Sequence, residues 1–485
     1  MDIKNKKLFQ QKCFVNGKWI KSNSKKTIPV YNPATLEQIG EVPKCSREET
    51  KEAINAAYSS WKKWRSLPAL ERSVILRNWY NIIIENHEDL SRIMTIEQGK
   101  PLSESRNELT YGSSFVEWFA EEAKRNYGDV IPDRQKDGRI VVIKQSIGVV
   151  AAITPWNFPN SMITRKCAPA LAAGCPVVIK PASHTPFSAL ALAVLAEEAG
   201  FPTGTINILT GSSEEIGDEL ALNPLVRKLS FTGSTEVGKI LLKKTASTVK
   251  KVSMELGGHA PFIVFDDANL EAAALGAIQS KFRNTGQTCV CANRIFVQEK
   301  IYEQFCELFT KKTSELVVGN GLDKNVTSGP LIDKYALEKV EEHVADALSL
   351  NAKLTLGGKK HALGNYYYEP TVLTNVSLKA KITHEETFGP VAAIYKFKTE
   401  EEVIDLANNT PYGLASYFYS RDIGRVWRVS EELEYGMVGV NTGIISKAEA
   451  PFGGVKESGL GREGSKYGLD EFMEIKYINM SGIME

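Results

Sequence analysis

The sequence predicts an α/β protein with two doubly wound parallel-sheet domains and a small additional β element. Three observations carry that prediction. Short apolar runs recur along the chain, helix-period segments separate them, and 485 residues are too many for one ordinary core. The runs are apolar throughout rather than alternating. Strands of that kind are buried on both faces, as in a parallel sheet covered by helices.

The elements follow in order. Residues 13–20 read as a hairpin about Asn16-Gly17. From Glu48 to Glu97 the pattern is helical, with Trp61, Trp64, Leu67 and Leu70 near the three-four spacing and Trp79 and Ile83 continuing it. Pro101 bounds the next helix, which runs from Leu102 to about Lys124. Residues 148–153 (GVVAAI), 176–180 (PVVIK), 205–209, 228–231 and 262–265 read as buried strands. Between the second and third of these, Thr185-Pro186 supplies an N-cap and first-turn pair, and Gly200 suits the position after a helix end. A second alternation starts near Leu270, with a helix to Arg283, a strand at 294–298, a helix at 300–316, and strands near 368–373 and 392–397. The charged stretch 126–145 reads as a protruding hairpin suited to subunit contacts.

Composition narrows the function. Lys+Arg is 59 and Asp+Glu is 58, a formal charge of +1, which gives no electrostatic case for nucleic acid or an anionic membrane as partner. The seven cysteines are scattered, odd in number and without C-x-x-C spacing, so neither a disulfide framework nor a cysteine metal site is expected. The start MDIKNKKLFQ lacks an apolar core, and no apolar run reaches membrane-spanning length. A soluble, cytoplasmic protein is the expectation.

Four segments carry candidate chemistry. Cys289 follows a glycine-containing turn in Phe282–Cys289 (FRNTGQTC). A lone cysteine is ordinarily a small buried hydrophobe, and a nucleophilic one needs local help because little thiolate exists at neutral pH. Glu255 stands at a strand end in MELGG, where Gly257 and Gly258 admit close backbone approach. Asn157 follows a buried strand in TPWNFP, and its amide N–H suits a developing oxyanion. Residues 231–238 (FTGSTEVG) form a glycine-containing strand-to-helix turn, suited to a pyrophosphate although not a G-x-G-x-x-G fingerprint.

Taken together, these motifs resemble the aldehyde dehydrogenase superfamily. PWNFP, FTGSTEVG, MELGG, the cysteine segment, EETFGP at 385–390 and PFGG at 451–454 occur in the family's order over roughly residues 15–480. The resemblance implies an aldehyde dehydrogenase-like fold. Residues 1–122, 142–254 and 447–466 would form a cofactor-binding domain and 255–446 a catalytic domain. Residues 123–141 and 467–485 would form an oligomerisation element giving a homodimer or homotetramer. It implies Cys289 as nucleophile, Asn157 and the Cys289 N–H as oxyanion donors, and Glu255 as general base. It assigns the nicotinamide cofactor to Thr154, Pro155, Trp156, Lys180, Ser183, Gly211, Gly233, Ser234, Leu256, Glu386 and Phe388. No metal is implied. The presence of Glu255 argues for hydrolysis rather than transfer to coenzyme A.

Two finer expectations follow. NAD-preferring relatives often carry glutamate where Ser183 stands. Serine removes a carboxylate that would repel a 2′-phosphate, so NADP is expected ahead of NAD. The strings MITRK (162–166), KFRNTG (281–286) and GLGREGSKYG (459–468) resemble the succinate-semialdehyde dehydrogenases. That resemblance implies Arg165, Arg283 and Ser446 as ligands of a distal carboxylate, which an arginine fork suits. Glutarate semialdehyde, one methylene longer, and broader aliphatic aldehydes remain alternatives, as does a member that has lost catalysis. Cys291 forms C-x-C with the nucleophile and is a candidate redox partner, although a disulfide there needs a loop rearrangement.

Overall fold

The computed structural model describes residues 2–482. In its first sheet five strands run parallel, in the order Lys251–Glu255, Val226–Thr232, Val149–Ile153, Val177–Lys180, Ile206–Ile208. Val149, Val150, Ala151 and Ala152 are fully buried, as an uninterrupted apolar run requires. The hairpin Cys13–Val15 with Lys18–Ile20 extends one edge, turning through Asn16 and Gly17 at positive φ. The chain winds outward from Val149–Ile153, then returns to place Val226–Thr232 on its other side. That reversal opens a crevice at the carboxyl ends of these two strands. Thr154-Pro155-Trp156 and Gly233-Ser234 emerge there, side by side.

The second sheet repeats the design. Thr371–Thr374, Val391–Phe397, Ala292–Gln298, Ala260–Val264, Ala415–Tyr419 and Met437–Val440 are parallel, and Lys353–Leu356 closes one edge antiparallel. Residues 256–259 carry the chain from the last parallel strand of the first sheet into the second.

The long helical pattern of residues 48–97 resolves into three helices, Arg47–Ser66, Ala69–Glu85 and His87–Gln98. Breaks fall at Leu67-Pro68 and at Asn86. The ring of Pro68 and its missing N–H end one helix and start the next. The helix Pro186–Ala199 begins and ends where expected, with Gly200 left-handed, but Thr185 makes no capping bond. Glu97 does that work instead, accepting the N–H groups of Phe187 and Ser188 at 2.7 and 2.8 Å.

Residues 126–145 do contain a hairpin, Asp129–Ile131 with Arg139–Ser146, and Met473–Met480 adds a third antiparallel strand. The strand Arg139–Ser146 runs through the expected boundary at residue 142. It pairs along its whole length with Met473–Met480, so this small sheet is one unit. Val130, Ile475 and Tyr477 are 74%, 72% and 62% exposed on it.

Candidate active site

Cys289 lies just beyond the end of the helix Leu270–Phe282, after a turn in which Asn284 and Thr285 both have positive φ. Two adjacent non-glycine residues in that region cost about 1–3 kcal/mol each, so the surroundings must hold them. Asn284 is held on every polar atom of its side chain. Its amide donates to the Asn157 carbonyl at 2.9 Å and accepts from Gln98 at 3.0 Å, and its backbone N–H donates to Glu104 at 2.7 Å.

Asn157 is anchored to the same loop. Its Nδ2 donates to the Gln287 carbonyl at 3.0 Å, while its own carbonyl also accepts from Lys100 Nζ at 2.7 Å. Lys100 is fully buried with Glu108, 2.6 Å away. The other oxygen of Glu108 accepts the N–H groups of Asn160 and Ser161 at 3.0 and 3.1 Å, fixing the start of the helix Ser161–Ala172. An ion pair this deep adds little stability over an apolar substitute. Its visible effect is to clamp both ends of the segment bearing Asn157.

Glu255 ends the strand Lys251–Glu255, and both of its carboxylate oxygens are buried without a hydrogen-bond partner among the described residues. Burial pushes this carboxyl well above the usual carboxylate range. The charge of Glu463 adds to that, and Arg165, Lys166 and Arg462 oppose it. Gly258, in the crossover, faces the Cys289 carbonyl. A Cβ there would lie well inside contact distance of that oxygen, so only glycine lets the two loops meet.

The two expected anion ligands stand in different surroundings. Arg165 is ion-paired with Glu463, which also takes Lys166 at 2.5 Å, and its guanidinium lies 4.1 Å from the Phe452 ring centre. Burial works against the Arg165 charge, and Glu463 more than offsets it, so its pKa is raised. Arg283 has no ion pair within bonding distance among the described residues. Its guanidinium faces the Phe158 ring at 5.5 Å, and its Nε is buried and unpartnered. Burial pushes the Cys289 thiol up to about 12, with Arg165 and Arg283 pulling the other way. The resting nucleophile is therefore a thiol that burial keeps protonated.

Two cavities flank this centre. One, of about 490 Å³, is lined by Arg283, Ser446, Phe158, Tyr111 and Glu104 among others. The second, of about 270 Å³, is lined by Cys289, Asn157, Trp156, Ser234, Glu386 and Phe388 among others. Glu386 accepts the Gly258 N–H at 3.1 Å, and burial lifts its carboxyl to about 7. Phe388, at positive φ, meets Trp156 edge-on with centroids 5.6 Å apart.

The profile of the aldehyde dehydrogenase family matches residues 19–478. The chain belongs to the aldehyde dehydrogenase family. It is 59% identical to a glutarate-semialdehyde dehydrogenase of Pseudomonas aeruginosa over 100% of both chains. It is 58% identical to the NADP(+) succinate-semialdehyde dehydrogenase of Escherichia coli over 99% of each. A crystal structure described as an E. coli NADP dependent enzyme superposes with a TM-score of 0.98 at 57% identity, covering 99% of this chain and 100% of that one.

For a member of the aldehyde dehydrogenase family the residues present fit a nicotinamide cofactor. The hydroxyls of Thr154 and Thr232 are buried at the sheet reversal without partners among the described residues. Ser234 caps the helix Thr235–Thr245, whose N-terminus suits a pyrophosphate. Of the expected cofactor residues, Pro155, Trp156, Gly233, Ser234, Leu256, Glu386 and Phe388 line the Cys289 cavity together. Ser183 lines a separate cavity of about 460 Å³ beside His184. Lys180 donates to the Pro181 carbonyl at 3.3 Å, and burial lowers its pKa to about 8. Gly211 bridges to the Cys45 backbone. Cys291 is buried, its thiol donating to the Lys281 carbonyl at 3.3 Å. Lys100, Glu104, Glu108, Tyr111, Lys339 and Glu463 escape the motif reading. Glu104, Glu108 and Tyr111 recur at i, i+4 and i+7 of one helix, a spacing that marks a shared face.

The raised thiol predicts a rate profile. Alkylation of Cys289 in the cofactor-free enzyme by iodoacetamide should rise about ten-fold per pH unit between about pH 7 and 9, following the thiolate fraction. A plateau below pH 8 would show a thiol already ionised.

Proposed function

We propose that this chain oxidises succinate semialdehyde to succinate with NADP or NAD as hydride acceptor. The observation that carries the substrate assignment is Arg283, a partly buried guanidinium without an ion pair, lining the 490 Å³ cavity together with Ser446. Glu255 takes the Cys289 proton, and the thiolate attacks the aldehyde carbon to form a thiohemiacetal. Asn157 Nδ2–H and the Cys289 backbone N–H hold the oxyanion. Each such donor is worth about 2.7–4 kcal/mol in the transition state. A nicotinamide held by Trp156, Ser234, Glu386 and Phe388 would supply the hydride acceptor that turns the thiohemiacetal on Cys289 into a thioester. After releasing the thiol's proton to solvent, Glu255 deprotonates the water that hydrolyses the thioester, its oxygens having no hydrogen-bond partner among the described residues. Arg165, Arg283 and Ser446 hold the distal carboxylate.

Glutarate semialdehyde is the second reading. The cavity volume and the Pseudomonas aeruginosa relative favour it as an additional substrate, and one methylene separates the two by only about 1–3 kcal/mol. We infer a cytoplasmic homodimer or homotetramer. All seven cysteines are free, which fits a reducing compartment. The exposed apolar residues of the three-stranded sheet suit a subunit contact. No helix among the described residues is long and apolar enough to cross a membrane.

Replacing Arg283 by Ala should raise KM for succinate semialdehyde by about ten- to a hundred-fold, since charge-assisted bonds are lost, and change KM for butanal by less than about three-fold. Equal changes for both aldehydes would remove the substrate assignment. The cofactor assignment rests on Ser183 and Lys180. The kcat/KM with NADP should exceed that with NAD, and Ser183→Glu should lower the NADP value by about ten-fold through charge repulsion. Preference of the unaltered enzyme for NAD would contradict it.

A further inference from the structure

The helix Leu102–Glu122 presents Glu104, Glu108 and Tyr111 along one face toward the Arg283 cavity. Glu108 is consumed by Lys100, and Glu104 accepts the Asn284 N–H. Tyr111 is different. Its ring is fixed edge-on against Phe115, with centroids 5.0 Å apart. Its hydroxyl is buried with no acceptor for its O–H among the described residues, and the Arg165 guanidinium lies against its oxygen. The Nε of Arg283, lining the same cavity, is likewise buried with no acceptor among the described residues. A buried phenol and a buried guanidinium N–H without acceptors are unusual, because each forfeits the bonds it made in water. An acceptor shared between them would satisfy both. Arg165 offers less, since its charge is already met by Glu463 and its Nη2 lies 3.1 Å from the Met162 sulfur.

We propose that Tyr111 is a specificity-determining residue that donates its O–H directly to the distal carboxylate of the substrate, alongside Arg283, with Arg165, already paired with Glu463, as the lesser ligand. This rests on the semialdehyde reading above. Burial raises the Tyr111 pKa, with Arg165 and Arg283 opposing, so the phenol remains a neutral donor at working pH. The assignment explains how the site selects an anion with few net positive charges. Arg283 supplies one fork, Tyr111 a fixed single donor, and the remaining cations are paired.

The test is Tyr111→Phe, which keeps the ring packing and removes only the hydroxyl. Initial rates are measured on the full-length enzyme with saturating NADP, using succinate semialdehyde and butanal. The expected result is a fall of about ten-fold in the ratio of kcat/KM for succinate semialdehyde over butanal, expressed in KM rather than kcat. In an Arg283→Ala background the same substitution should change that ratio by less than about three-fold, because two ligands of one carboxylate are coupled. A ratio within two-fold of the unaltered enzyme would overturn the proposal, as would a proportional loss for both aldehydes. If Arg283→Ala abolishes the preference for the anionic aldehyde and Tyr111→Phe does not, this inference fails alone. If Arg283→Ala leaves that preference intact, the semialdehyde reading fails first.

Discussion

The contact between Gly258 and the Cys289 carbonyl governs the rest of the site. Residues 256–259 carry the chain from the first parallel sheet into the second, and Glu255 immediately precedes them. The carboxyl ends of strands of the first sheet meet the amino ends of strands of the second at this crossover, since Cys289 precedes Ala292–Gln298 and Glu386 precedes Val391–Phe397. A side chain at position 258 would push the Cys289 loop away and separate Glu255 from the thiol it serves. The nucleophile follows the crossover in the chain, and the base and the oxyanion donor precede it. Their shared geometry depends on one backbone approach that no side chain could tolerate.

A second constraint is electrostatic. The centre holds Cys289, Glu255, Arg165, Lys166 and Glu463 in a space that excludes most water. Glu463 compensates two cations, which leaves a net positive bias near the thiol and an ionisation penalty on Glu255. Burial keeps the Cys289 proton in place at rest, and Arg165 and Arg283 favour the thiolate that forms as the proton leaves. The Lys100–Glu108 pair does the complementary work of position, tying the Asn157 segment to the helix that lines the substrate cavity.

Much of this is legible in the sequence, and what is not has a physical reason. The buried strands show because parallel sheets demand continuous apolar runs. Cys289, Glu255 and Asn157 show because their flanking glycines and prolines make distinctive local turns. Long-range pairing does not show. Nothing local says that Arg165 will meet Glu463, 298 positions later, or that Glu97 will cap the helix that Thr185 was expected to cap. Tyr111 is silent for a different reason. An aromatic at i+7 on an amphipathic helix is ordinarily core, and what distinguishes this one is an O–H with no acceptor among the described residues.

The central claim is that Cys289 carries the acyl group and Glu255 releases it. The most direct measurement is the intact mass of Glu255→Gln enzyme after mixing with succinate semialdehyde and NADP, followed by peptide mapping. The account predicts a succinyl adduct that forms more slowly than in the unaltered enzyme, because the thiol has lost its base, but accumulates to nearly one per chain on the peptide containing Cys289, with one equivalent of reduced cofactor formed alongside. An unmodified mass with continued steady turnover would contradict it, because another group would then be hydrolysing the thioester or no thioester would form.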